Sequence, residues 1–170
     1  MTTRALPART RAQHFWQARR KSASFPRDSM LLQVLVRGWD RLIHLAARIA
    51  YLAPITRPER YGVDLERDVP YVDDGQHAHL LDIYKPRHRA SRGTVLYVHG
   101  GGFAVLSKDT HRVMAMAFAL RGYTVFNINY RLGPTNRYPA PLEDAAAALA
   151  WVADNARRYG ADPERLVLAG

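Results

Sequence analysis

The chain has 170 residues, an apolar fraction of 48% and no cysteine. That fits one globular domain and excludes a disulfide framework, a thiolate metal site and a cysteine nucleophile. The formal charge of +10 is uneven: residues 1–57 carry eleven Lys/Arg against two Asp/Glu, residues 58–170 fourteen against thirteen, so whole-chain basicity is no argument for nucleic-acid binding.

Residues 1–27 hold seven basic residues and no acidic one, the composition of a mobile arm. Arg19-Arg20 before Phe25 faintly resembles a twin-arginine signal, yet no adequate hydrophobic region or small-residue cleavage site follows. No stretch reaches the roughly 18–20 uninterrupted apolar residues of a membrane span. Secretion is not supported, and the expected location is the cytoplasm, with peripheral membrane attachment as the alternative.

A helix is expected from about Ser29 to Ala53, stopping before Pro54. Leu31, Leu35, Leu42, Leu45, Ile49 and Leu52 recur at helical spacing and suggest one buried stripe. The preferred reading is a cap helix lying over the main domain; the alternative is a basic amphipathic helix on an anionic membrane. Residues 1–57 are therefore read as a basic arm and helix, and 58–170 as the main domain.

Beyond the connection Pro54–Arg60, Asp68–Val72 and His79–Tyr84 read as two strands around Asp73-Asp74-Gly75. Thr94–Val98 is continuously apolar after its first residue, as an interior parallel strand should be. Asp109–Arg121 reads as a helix stopped by Gly122, Tyr123–Asn129 as a strand, and Pro141–Tyr159 as a long helix stopped by Gly160. Asp162-Pro163 then turns the chain into a fifth strand at Leu166–Ala169. The order β-β-β-α-β-α-β is that of a mostly parallel α/β sheet with an antiparallel first pair and helices on both faces.

The richest chemistry follows the third strand, at His99-Gly100-Gly101-Gly102-Phe103. Three glycines let backbone N–H groups point into open space, where a developing oxyanion can accept their hydrogen bonds. A structural turn or a phosphate cradle would also use glycines. A P-loop, however, needs Lys-Ser/Thr where Phe103-Ala104 stands, and the G-x-G-x-x-G spacing is missing. Ser107, Asp109 and His111 contain the residue types of a triad, but at alternating positions around a helix start their side chains should diverge. Ser107 or Asp109 is more simply an N-cap, and His111 a packing or helix-surface residue.

From about Val63 to Gly170 the sequence resembles the hormone-sensitive-lipase-like and acetyl-esterase branch of the α/β-hydrolases. The resemblance is carried by Leu81-Asp82-Ile83-Tyr84-Lys85-Pro86, His99–Phe103 and Ser107–His111. It continues through Asn129-Tyr130-Arg131-Leu132, Tyr138-Pro139-Ala140 with Glu143-Asp144 and Trp151, and Gly160–Leu166. It covers roughly two-thirds of the chain, in the family's order and at compatible spacing.

The resemblance implies a serine carboxylic-ester hydrolase acting on a small or medium acyl ester, with no cofactor or metal and no specific nucleic-acid partner. Gly101 and Gly102 would donate oxyanion-hole N–H groups, while His99 and Gly100 would shape that loop. Arg131 and Asp144 would form a structural ion pair, and Phe103, Tyr130 and Tyr138 either line an acyl or alcohol pocket or pack the core. Leu166–Gly170 resembles the approach to the nucleophile turn and ends on its first glycine. About five of the family's eight strands are therefore expected, with nucleophile, acid and base outside these residues and the chain alone inactive. An apolar edge at Leu166–Ala169 would make it poorly soluble. The alternative is a noncatalytic module that pairs with a partner polypeptide. Membrane contact through residues 1–57 stays open, and the sequence does not set the oligomeric state.

Overall fold

The computed structural model describes residues 30–170, so the expected mobile arm lies outside the described residues. The chain divides into two compact units, Met1–Leu35 and Val36–Gly170. The second holds the sheet and the site. Eight main elements follow in order: α1 (Met30–Ala50), β1 (Val63–Pro70), β2 (Leu80–Pro86), β3 (Thr94–Val98), α2 (Arg112–Leu120), β4 (Thr124–Ile128), α3 (Ala140–Asn155) and β5 (Leu166–Ala169).

The five strands form one sheet in the order β1-β2-β4-β3-β5. β3 pairs in parallel with both β4 and β5, whereas β2 runs antiparallel to both β1 and β4. Two of the four pairings are thus antiparallel, one more than the expected first pair, because β2 also pairs antiparallel with β4, the edge strand of the parallel block β4-β3-β5. The α/β class, five strands and element order agree with the sequence reading.

Side-chain alternation along the strands divides the core between the two sheet faces. Leu81, Ile83, Leu96, Phe126 and Ile128 pack on one face against Ala148 and Val152 of α3. Tyr84, Val95, Tyr97 and Val125 pack on the other against Ala115 and Ala119 of α2. The three alanines among these, Ala115, Ala119 and Ala148, are buried, and their small side chains let each helix approach the sheet.

The crossover β3–α2–β4 moves to one side of β3, and β4–α3–β5 returns to the other. The carboxyl end of β3 is therefore the topological switch point, where open α/β sheets form their ligand crevice. The in-register pair Val98↔Ile128 sets the residues that follow, His99 and Asn129, at that edge.

One expectation is overturned. Leu31, Leu35, Leu42, Leu45, Ile49 and Leu52 are all more than half exposed and form no buried stripe. In the second unit, the less exposed positions of α1 include Asp40, Ile43, His44 and Ala47. Polar bonds from Asp40 and His44 decide which side of that helix is covered, and helical periodicity alone does not carry that choice. No helix among the described residues is long and apolar enough to cross a membrane.

Candidate active site

The chain leaves β3 at Val98 and turns through His99–Phe103. Gly101 has φ +123° and Gly102 φ +60°, followed by Phe103 at +61°. The turn is closed by the Gly101 carbonyl, which accepts from Ala104 N at 3.1 Å and Val105 N at 3.2 Å. A Cβ at Gly101 would drive into the Val105 carbonyl, whereas at Gly102 it would meet open space. Among the described residues, the N–H groups of Gly101 and Gly102 make no hydrogen bond. Backbone donors left unpaired at a strand end are what an incoming oxyanion requires.

His99 is buried behind this turn. Its Nδ1 lies 2.7 Å from the Gly100 carbonyl, its ring stacks on Tyr130 at 4.4 Å between centroids, and the Tyr130 hydroxyl donates to the His99 carbonyl at 2.7 Å. Burial pushes the imidazole down to about 4; the Gly100 carbonyl opposes the shift and His111 adds to it. The ring is therefore neutral near pH 7, and its Nδ1–H holds the loop in shape.

The loop's return limb, Leu106-Ser107, is held by α1. Asp40 Oδ1 accepts from Leu106 N at 2.8 Å, and His44 Nε2 lies 2.9 Å from Ser107 Oγ. His44 Nδ1 faces the Asp40 backbone carbonyl at 2.8 Å. Donation to that carbonyl leaves Nε2 free to accept from the serine hydroxyl. These bonds flank Leu106, which sits at φ +73°, a strained conformation for leucine that persists only when its surroundings hold it. Sequence reasoning missed Asp40 and His44, because a partner 63 residues away leaves no local pattern.

The N-cap expectation for Ser107 or Asp109 is not met: α2 begins at Arg112, and His111 occupies its N-cap without a side-chain bond. Ser107 Oγ instead accepts from Asp109 N at 3.2 Å, closing a turn before the helix. Ser107, Asp109 and His111 form no relay. His111 packs near Tyr97 and His99.

Between them, Lys108 is fully buried. Its Nζ lies 2.7 Å from both Asp68 and Asp82. Its N–H reaches Asn129 Oδ1 at 2.8 Å, and its carbonyl accepts from Asn127 Nδ2 at 2.8 Å. Lys108 thus fastens the segment after the loop to β2 and β4.

Arg131 and Asp144 pair as expected, with Nη2–Oδ1 at 2.6 Å and the Arg131 backbone N–H on Oδ2 at 2.8 Å. Burial opposes ionisation of Asp144, but the bonds from Arg131 prevail and hold its carboxyl below the usual range. A cavity of about 390 Å³ opens beside the loop, bordered by His44, His99, Ser107, Asn129, Tyr130 and Arg131 among others. Of the three aromatic candidates, only Tyr130 borders it; Phe103 and Tyr138 are exposed.

The BD-FAE family model matches residues 81–170, just over half of the chain. The chain is 40% identical over 111 residues to carboxylesterase NlhH of Mycobacterium tuberculosis, covering 62% of this chain and 33% of that protein. It is 36% identical over 89 residues to the acetyl esterase of Salmonella paratyphi B, covering 52% and 27%. It thus spans about a third or less of the length of these curated relatives. Among solved structures, esterase LipW of Mycobacterium marinum superposes with a TM-score of 0.67 at 31% identity, covering 79% of this chain and 42% of that one. The Pyrobaculum calidifontis esterase gives 0.62 at 27%, covering 84% and 47%. With its fold, its glycine turn and these relatives in agreement, the chain belongs to the α/β-hydrolase carboxylesterases of the hormone-sensitive-lipase-like and acetyl-esterase branch.

Proposed function

We propose that these residues supply the oxyanion side of a serine carboxylic-ester hydrolase. One observation carries the reading: the N–H groups of Gly101 and Gly102 are unpaired at the carboxyl end of β3, the sheet's switch point. In the reaction, a serine hydroxyl loses its proton to a base and attacks the ester carbonyl carbon. The carbonyl oxygen then takes the negative charge and accepts bonds from Gly101 and Gly102. Collapse expels the alcohol, and water releases the acid from the acyl-enzyme by the same route. The 390 Å³ cavity suits a small or medium ester.

The serine of the nucleophile turn is not among the 170 residues, which end at Gly170. The 170-residue polypeptide alone is therefore expected to give no turnover of p-nitrophenyl butyrate above buffer. Joined after Gly170 to the C-terminal remainder of the M. tuberculosis carboxylesterase, it is expected to hydrolyse that ester until a serine-directed phosphonate is added. Phosphonate-sensitive turnover by the polypeptide alone, or a folded fusion without turnover, would overturn this reading.

A further inference from the structure

The glycine turn is fastened at three places, and the fastenings come from two parts of the chain. At its tip the Phe103 carbonyl accepts from Gly133 N at 2.7 Å. Behind it, Lys108 N donates to Asn129 Oδ1 at 2.8 Å. Both of those partners lie just after β4. Between them the return limb is met by α1: Leu106 N donates to Asp40 Oδ1, 66 positions away, and the Ser107 hydroxyl meets His44 Nε2. Among the described residues, Asp40 is the partner of the Leu106 N–H.

That limb lies directly against the candidate donors. A Cβ on Gly101 would collide with the Val105 carbonyl and come within 3.3 Å of Leu106 Cβ. The Gly101 carbonyl in turn accepts from Ala104 N and Val105 N. The Val105 carbonyl and the Leu106 N–H belong to one planar peptide unit. Asp40 grips one side of that unit, and Gly101 rests against the other. Leu106 is held at φ +73°, which leucine keeps only where its surroundings fix it. If Asp40 lets go, Leu106 can relax, the peptide swings, and the Val105 carbonyl no longer fixes Gly101.

We infer that Asp40 and His44 are positioning residues, through which α1 sets the direction of the Gly101 and Gly102 N–H groups and thereby kcat. The role in turnover rests on the ester-hydrolase reading, whereas the hold on the turn does not. Both residues also border the 390 Å³ cavity, so a substrate contact is the rival role, and it would appear in KM.

Asp40→Ala, Asp40→Asn and His44→Ala are compared with wild type in two molecules. In the 170-residue chain the readout is the NMR amide resonances of Gly101 and Gly102. In the enzyme fused after Gly170 it is kcat and KM for p-nitrophenyl butyrate, below the unfolding temperature of every variant. Asp40→Ala is expected to move both glycine resonances and lower kcat by about 10–10²-fold, the scale of a misplacement of up to about 1 Å, with KM changed less than about twofold. Asp40→Asn keeps an acceptor oxygen for the Leu106 N–H and should stay within about threefold of the wild-type kcat, its glycine resonances in place. His44→Ala removes only the Ser107 bond; its kcat should fall between wild type and Asp40→Ala, and it carries the test should Asp40→Ala not fold. Unmoved glycine resonances or an unchanged kcat would overturn the inference. So would a loss confined to KM, or Asp40→Asn as slow as Asp40→Ala. A folded fusion of wild-type sequence without turnover is instead the failure of the ester-hydrolase reading; the glycine resonances, which need no nucleophile, then still decide whether α1 sets the turn.

Discussion

His99 shows how one side chain ties loop geometry to pH. Its neutral ring is buried, bonded to the Gly100 carbonyl and stacked on Tyr130, with its folded-state value lowered to about 4. The unfolded chain binds this proton near 6.5, so between these values the unfolded state holds more protons than the folded one. The stabilisation is fully present above about pH 6.5 and is lost as pH falls towards 4, by roughly 3 kcal/mol if the shift is fully expressed. Denaturant unfolding at pH 7 and 4.5 should show this loss. His99→Phe keeps an aromatic ring on Tyr130 but cannot titrate, so its pH slope should be shallower. An unchanged slope would mean that other groups carry the acid sensitivity.

At the scale of elements, α1 is a polar clamp. Asp40 holds Leu106 N–H and His44 meets Ser107 Oγ, while Trp39, Leu42, Leu45 and Ile49 face outward. Removing the Asp40 carboxylate leaves a donor unpaired at a residue already in the left-handed region. Asp40→Ala should cost about 1–3 kcal/mol and speed amide exchange at Leu106 and Ser107 at least about tenfold. Unaltered exchange there would show that the loop keeps its shape without the helix. At the sheet's other end, β5 pairs only with β3 among the described residues, and its Val167 and Leu168 are half or more exposed. Such an edge invites pairing with a second strand. Sedimentation of the 170-residue chain should show concentration-dependent association, reduced by Leu168→Lys. A wild-type monomer at all concentrations would contradict this.

For the molecule as a whole, the sequence exposed what is local and concealed what is not. β3 and β4 are short apolar runs bounded by turn residues, Gly122 and Gly160 mark helix ends, and three consecutive glycines mark the turn at the head of the sheet. The Arg131–Asp144 pair was readable because the family resemblance brings its loop and helix together. Three features were not readable. Lys108 is buried because Asp68 and Asp82 converge on it from 40 and 26 residues away. His44 meets Ser107 across an equally nonlocal gap. The apolar periodicity of α1 is real, but helical spacing does not say which face meets the domain.

The proposed donation of the Gly101 and Gly102 N–H groups to an oxyanion is tested by kcat for p-nitrophenyl butyrate in the fused enzyme, wild type against Gly101→Ala. A Cβ at position 101 collides with the Val105 carbonyl and must displace the turn. The expected loss is about 10²–10³-fold in kcat, the effect typical of one lost oxyanion donor, together with a lowered unfolding temperature, since the clash is with backbone at a positive φ. A Gly101→Ala enzyme that folds and turns over at the wild-type rate would rule out that role for the turn.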